Sequence, residues 1–223
     1  MASRTVTATI LSLSLIASAG VISACDSSEP DNTIRIGVDR RSTQAVVIAE
    51  MYRQSLERGG SPATLQALVI GAEDTPAEVQ KQGVRLLEQE QIDVLIGCTG
   101  TLLRVEAPRL AAELSEEYTS EDSELSEVEW IDKTYSAMMS QLRRGVDASN
   151  PSMVAGCNED AETPLPESLV PLYRKTVIDR NDRIKLNDIS GGITADELES
   201  LIDEVRREGD TTHLVSVYLD SLG

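Results

Sequence analysis

Phenylalanine is absent from all 223 residues, and tryptophan occurs once, as Trp130, beside five tyrosines. Aromatic rings usually supply a large share of buried area, so a core here rests on Val, Ile, Leu, Ala and Met. Histidine is as scarce. The single His213 lies far in sequence from the cysteines, so no zinc-ligand spacing exists, and its expected place is a helix surface. No glycine-rich phosphate loop is present and no nucleophile has an evident histidine partner. The chain therefore reads as a non-enzyme without cofactor or metal. Positive charge is short too: 20 basic residues stand against 38 acidic ones, a net charge of −18. So acidic a surface argues against nucleic acid and against an electrostatic hold on anionic lipid.

The first 24 residues depart from that composition. They hold no acidic residue and one basic one, Arg4, and Val6 to Ile22 are apolar and small. A charged start, an apolar stretch and a small-residue end describe a secretory signal. The stretch is short and rich in Ser and Thr, whereas a membrane span needs about 20 predominantly apolar residues. It ends Ile22-Ser23-Ala24-Cys25, which resembles the lipobox of bacterial lipoproteins. That resemblance implies a signal peptide over 1–24, cleavage before Cys25, and acyl chains on the Cys25 thiol. They would hold the protein at the extracytoplasmic face of the cell membrane. The alternative is a plain secretory signal with an incidental cysteine. Residues 25–32 are a polar tether. Two cysteines remain, Cys98 and Cys157. In an oxidising compartment they either form a disulfide or stay as buried thiols that pack like small apolar residues.

From Thr33 the pattern alternates between strand and helix. Thr33–Val38 and Ala63–Ile70 read as strands around a helix opened by Ser42 or Thr43 and stopped by Gly59-Gly60. Thr75-Pro76-Ala77-Glu78 is a capping box with proline at the first helical position. Ile92–Gly97 is the next strand, and Thr99-Gly100-Thr101 opens a helix expected to run through Leu114. This order describes an α/β unit with a largely parallel sheet. Between Glu113 and Glu129 there are eight acidic residues and no basic one, a solvated linker held open by repulsion. A helix over Val128–Leu142 follows, then a loop-rich stretch from Gly145 to Ser168. Leu169–Tyr173 is a short strand. A helical turn ends at Ser190-Gly191-Gly192, a second capping box at Thr194 opens a helix through Arg207, and a last helix spans Thr211 to Leu222.

Three stretches together resemble the substrate-binding proteins of glycine betaine and choline-type (osmoprotectant) ABC importers. They are Ile34-Arg35-Ile36-Gly37 with the helix ending Ala49-Glu50-Met51-Tyr52; Ile92-Asp93-Val94 running into Cys98-Thr99-Gly100-Thr101; and Leu169-Val170-Pro171-Leu172-Tyr173-Arg174-Lys175 with the closing helices. The resemblance implies a periplasmic-binding-protein-like (type II) fold, in which the outer parts of the chain build one α/β lobe and the middle builds a second that closes on the ligand. Here 33–114 and 148–223 would form the lobe, and 115–147, short and acidic, would reduce the second lobe to a linker and helical insert. An ABC permease and a small solute are the implied partners. The family holds a quaternary ammonium in an aromatic box. Where it usually carries Tyr before Thr-Gly-Thr, this chain has Cys98, and the loop after the first strand reads Asp39-Arg40-Arg41-Ser42. Arg40, Arg41, Ser42, Thr99, Gly100 and Thr101 are the candidate ligand residues. Two arginines suit a carboxylate, phosphate or sulfonate, and a helix start beside Thr99 and Thr101 favours an anion. The alternative is that the arginines are solvated charges and the threonines cap a helix. A non-transport envelope protein built on such a lobe is the competing functional reading.

Overall fold

The computed structural model describes residues 32–157 and 162–222. The leader, Cys25 and all of the tether but Asn32 lie outside them. The described residues form one α/β unit of five strands and eight helices. Their order is β1 (Ile34–Val38), α1 (Thr43–Arg58), β2 (Ala63–Ala67), α2 (Pro76–Glu88), β3 (Val94–Cys98), α3 (Thr99–Glu106), α4 (Pro108–Tyr118), α5 (Glu127–Gln141), β4 (Val146–Ala148), β5 (Leu169–Arg174), α6 (Arg180–Gly192), α7 (Ala195–Glu208) and α8 (Thr211–Ser221). The sheet runs β2-β1-β3-β5-β4. β1 is parallel to β2 and β3, and β5 lies antiparallel between β3 and β4. The largely parallel α/β expectation holds.

Side chains that alternate along each strand divide the core in two. Ile34, Ile36, Val38, Val94 and Tyr173 face α1, α6, α7 and α8. Leu95, Val170 and Leu172 face the residues of α2 to α5. With no Phe available, Tyr52 and Tyr173 are the buried rings of the first of these cores, and Trp130 is the buried ring of the second. Tyr52, 1 % exposed, satisfies its hydroxyl against Ser190 Oγ at 2.9 Å.

Several boundaries differ from the sequence expectation for local reasons. β2 stops at Ala67 rather than Ile70, because β1 ends at Val38 and leaves nothing to pair with beyond the Leu68 N–H; Val69 turns out to 86 % exposure. β3 starts at Val94, since Gln91 and Ile92 still donate to Leu86 O at the end of α2. The helix expected through Leu114 breaks at Ala107, whose φ of −143° is extended, as the residue before a proline tends to be; Pro108 then starts α4.

The larger difference concerns 115–147. These residues do not stand apart from the lobe. α5, opened by a Ser126–Glu129 capping box, buries Trp130 and Met138 beside Leu102 and Leu103 of α3. β4 joins the sheet edge. Between β4 and β5, 20 residues (149–168) connect one strand to the next.

Candidate functional site

At β1 the sheet reverses its build direction: α1 leads outward to β2, and α2 leads back across β1 to β3. The two helices lie on opposite faces, so a crevice opens at the carboxyl ends of β1 and β3. Ligands of open α/β sheets bind at such a switch point. A cleft of about 250 Å³ sits there. Its floor is apolar, from Ala45, Ile48, Leu68, Val79 and Leu95, and its polar rim includes Asp39, Arg41, Ser42, Gln44, Asp74 and Gln80.

Of the candidate ligand residues after β1, two reach this cleft. Ser42 caps α1, its hydroxyl accepting from the Ala45 N–H at 3.1 Å. Arg41 lines the cleft, but its guanidinium is engaged: it donates to both Asp39 carboxylate oxygens, with Nη2–Oδ2 at 3.0 Å, and to the carbonyls of Gly71, Ala72 and Asp74. Arg41 thus ties the loop after β1 to the loop after β2. Burial alone would raise the Asp39 carboxyl, and the Arg41 hydrogen bonds outweigh it and hold the group below its ordinary value. Arg40 is exposed and outside the cleft lining.

Thr99, Gly100 and Thr101 do not line the cleft. All three are buried under the segment before β5, which takes the first N–H groups of α3 in turn. Thr99 N donates to Ser168 O at 3.0 Å, Gly100 N to Pro166 O at 3.1 Å, and Thr101 N to Glu167 Oε2 at 2.9 Å. The Thr101 hydroxyl also donates to Glu167 Oε2, at 3.0 Å. Arg104 on α3 pairs with Glu167 Oε1, and the Glu167 side chain is 0 % exposed. The approach is close enough to demand glycine at position 100, where a Cβ would stand 2.9 Å from Glu167 Oε1 and from Pro166 O. Burial pushes the Glu167 carboxyl up, against the pull of Arg104 and Thr101. The helix start that sequence reasoning offered to an external anion holds an internal one.

Cys98 and Cys157 meet between these two places. Their sulfurs are at bonding distance with Cα atoms 6.1 Å apart, and both residues line the cleft. Gln80 of α2 reaches the same spot, accepting from Cys98 N at 3.2 Å and donating to Cys157 Sγ. Gln44 of α1 donates to Gly156 O at 3.0 Å. The segment 154–157 is thereby fixed as a cleft wall. It also pairs with the strand entrance at Ala155–Ser168, and it approaches so closely that a Cβ on Gly156 would lie 1.8 Å from Leu169 Cδ2.

None of the six aromatic side chains lines the cleft. Tyr118 and Trp130 pack edge to face at 5.2 Å on the α4–α5 side, with the Lys133 ammonium 4.6 Å from the Trp130 ring centre. The one cation–π contact found among the described residues is thus internal. His213 is exposed on α8. Of the residues that build the two places, Glu167, Arg104, Gln80, Gln44, Asp39 and Asp74 were not singled out from sequence. Asp39 carried a usable signal, since it follows a buried strand directly; Glu167 sits in an aperiodic loop and carried none.

No family model matches the chain, and no curated protein does. Its likenesses are to solved structures. Apo YehZ from Escherichia coli superposes with a TM-score of 0.58 at 11 % identity, over 86 % of this chain and 99 % of that one. A TRAP periplasmic solute-binding protein from Polaromonas sp. JS666, bound to D-erythronate, gives 0.43 at 9 % identity over 82 % and 84 %. One from Anaerococcus prevotii with bound D-glucuronate gives 0.40 at 9 % over 82 % and 85 %. At such identities the likeness is one of fold. The chain is a reduced, periplasmic-binding-protein-like (type II) α/β lobe.

Proposed function

We propose that this chain is the extracytoplasmic solute-binding component of an ABC-type importer, tethered through lipid on Cys25, with the switch-point cleft as its solute site. The observation that carries the reading is the cleft's position, at the carboxyl ends of β1 and β3 and beside the capped start of α1. The Ile22-Ser23-Ala24-Cys25 sequence supports the anchor, and the three stretches that resemble osmoprotectant-binding proteins support the transport class. The cleft chemistry narrows the ligand. Arg41 and Asp39 engage each other, and Asp74 adds a further carboxylate, so the rim carries a net negative charge. A small cation or zwitterion with an apolar body fits those walls better than a bare anion, and a quaternary amine would rest on carboxylates and aliphatic groups rather than rings.

A thermal-shift screen of soluble 26–223 tests this, with glycine betaine, choline and carnitine beside small carboxylates, phosphates and sulfonates. A ligand at 100 times its dissociation constant adds about 2.7 kcal/mol. A shift with the amines, lost in Asp39→Asn, supports the reading. No shift with any compound overturns it. The second reading, a lobe that binds another envelope protein, would then take its place. Its specific support is the exposure of two apolar side chains, Val69 at 86 % and Met153 at 63 %, each one residue along the chain from a buried neighbour, Leu68 and Val154.

A further inference from the structure

The first turn of α3 has an unusual cap. Cys98, at the capping position, contributes no side-chain hydrogen bond. The job falls to a carboxylate from a loop 66 residues further along the chain. That carboxylate is bound as a ligand would be: one oxygen accepts from a backbone N–H and a hydroxyl at the positive end of a helix, the other pairs with a guanidinium, and no part of the side chain reaches solvent. Arg104 is itself held in place, Nη2 donating to Thr101 Oγ1 at 2.8 Å and Nη1 to Thr163 O at 3.0 Å. Gly100 clears the space the occupant fills. Donors, charge and shape all fit a carboxylate, and they come from α3 while the occupant comes from elsewhere.

We propose that the start of α3, with Thr101 and Arg104, is a carboxylate-binding site that Glu167 fills in cis, so that the lobe carries its own anionic ligand and turns free carboxylates away from this end. The occupant needs no outside supply. Being part of the same chain, it has an effective concentration that a dilute solute does not match. The site is separate from the solute cleft: Cys98 belongs to both neighbourhoods, but Thr101, Arg104 and Glu167 do not line the cleft. The inference therefore does not depend on what the cleft binds.

The test is chemical rescue. Glu167→Ala removes the occupant and leaves room for formate or acetate. Melting curves are taken in sodium formate, acetate and chloride at matched ionic strength. In Glu167→Ala, formate is expected to raise the Tm with the logarithm of its concentration above its dissociation constant, by about 4 °C at ten times that constant, with chloride well below it. Wild type and the double variant Arg104→Met/Glu167→Ala are expected to show no difference between the salts. Glu167→Gln separates recognition from mere capping, because its amide oxygen still accepts from the Thr101 N–H. A plain cap predicts wild-type melting for Glu167→Gln and no formate effect in Glu167→Ala, and that pair of results overturns the proposal. Should Glu167→Ala not fold in chloride, its refolding yield is measured instead: a yield that formate raises several-fold supports the site, and a yield equal in formate and chloride overturns it. No solute enters either readout, so failure here is distinct from failure of the transport reading.

Discussion

β3 carries a buried carboxylate at each end, and the two are held in different ways. Asp93, 2 % exposed, precedes the strand. Two guanidiniums clamp it from the strands on either side: Arg35 of β1 through Nε and Nη2 at 2.8 and 2.9 Å, and Arg174 of β5 at 2.8 Å. Glu167, 3 % exposed, sits over the other end of the strand with one guanidinium and a helix start. Sheet register alone brings the Asp93 partners together, and the group is a fixed part of the sheet. Glu167 arrives on a loop and docks. Burial acts on both, but the outcome differs. At Asp93 it would raise the carboxyl, and the hydrogen bonds of Arg35 and Arg174 outweigh it and hold the group low. At Glu167 burial wins and the group is raised. Two arginines make a lock, whereas one arginine and a dipole make a binding site.

The largest expected way to break this contrast is Glu167→Ala. Arg104 is 12 % exposed, so the variant strips a nearly buried guanidinium of its buried carboxylate partner, a loss of about 3–5 kcal/mol by urea denaturation. Next comes Cys98→Ser/Cys157→Ser, which frees the wall segment. Over a sequence separation of 59 the expected loss is about 2–4 kcal/mol, with the cleft ligand, once known, binding more weakly. Asp93→Ala is smaller, about 1–3 kcal/mol, because Arg35 is 36 % exposed and can turn to water while Arg174 keeps its ion pair with Glu90. An equal or larger loss at Asp93 than at Glu167 would erase the distinction drawn here.

Acid sharpens the comparison with a smaller effect. The lowered Asp93 pKa makes its contribution whole above the ordinary value of 3.8 and removes it as pH falls further. Asp93→Asn is therefore expected to flatten the acid limb of stability against pH. Glu167, raised above its ordinary 4.5, has the opposite slope: wild type gains on Glu167→Gln as pH falls through the raised value towards 4.5. The smallest effect on stability belongs to Arg41→Ala, whose guanidinium is exposed. Its melting point should stay near wild type while affinity in the cleft drops, since Asp39 and the 71–74 loop lose their tie.

The fold was legible where physical signals are local. Buried strands, Ser42, and the Thr75 and Thr194 capping boxes announce their elements through short-range hydrogen bonds and apolar period. Pro108 was legible but not used. The short β4 strand is only three residues long and buries one of them, too little pattern to separate from a loop. The candidate site was half legible. Of Thr99, Gly100 and Thr101, Thr101 alone meets a carboxylate, that of Glu167 across 66 residues, and the other two N–H groups go to the Ser168 and Pro166 carbonyls. Arg41 does project at the cleft, yet its charge is spent on Asp39, two residues away, and on carbonyls about 30 residues on. A charged residue's type was visible in the sequence, while its partner belongs to the tertiary structure.

The 20-residue passage from β4 to β5 bears on how such a protein would speak to a partner. A two-lobed receptor signals occupancy by shutting, and the permease reads a change of shape. The described residues form one compact unit whose cleft wall is pinned at Cys157. Under the proposed transport role, what it tells a membrane complex would be written on one face, in the charge and contour that a bound solute adds to or takes from the rim around Asp39 and Asp74.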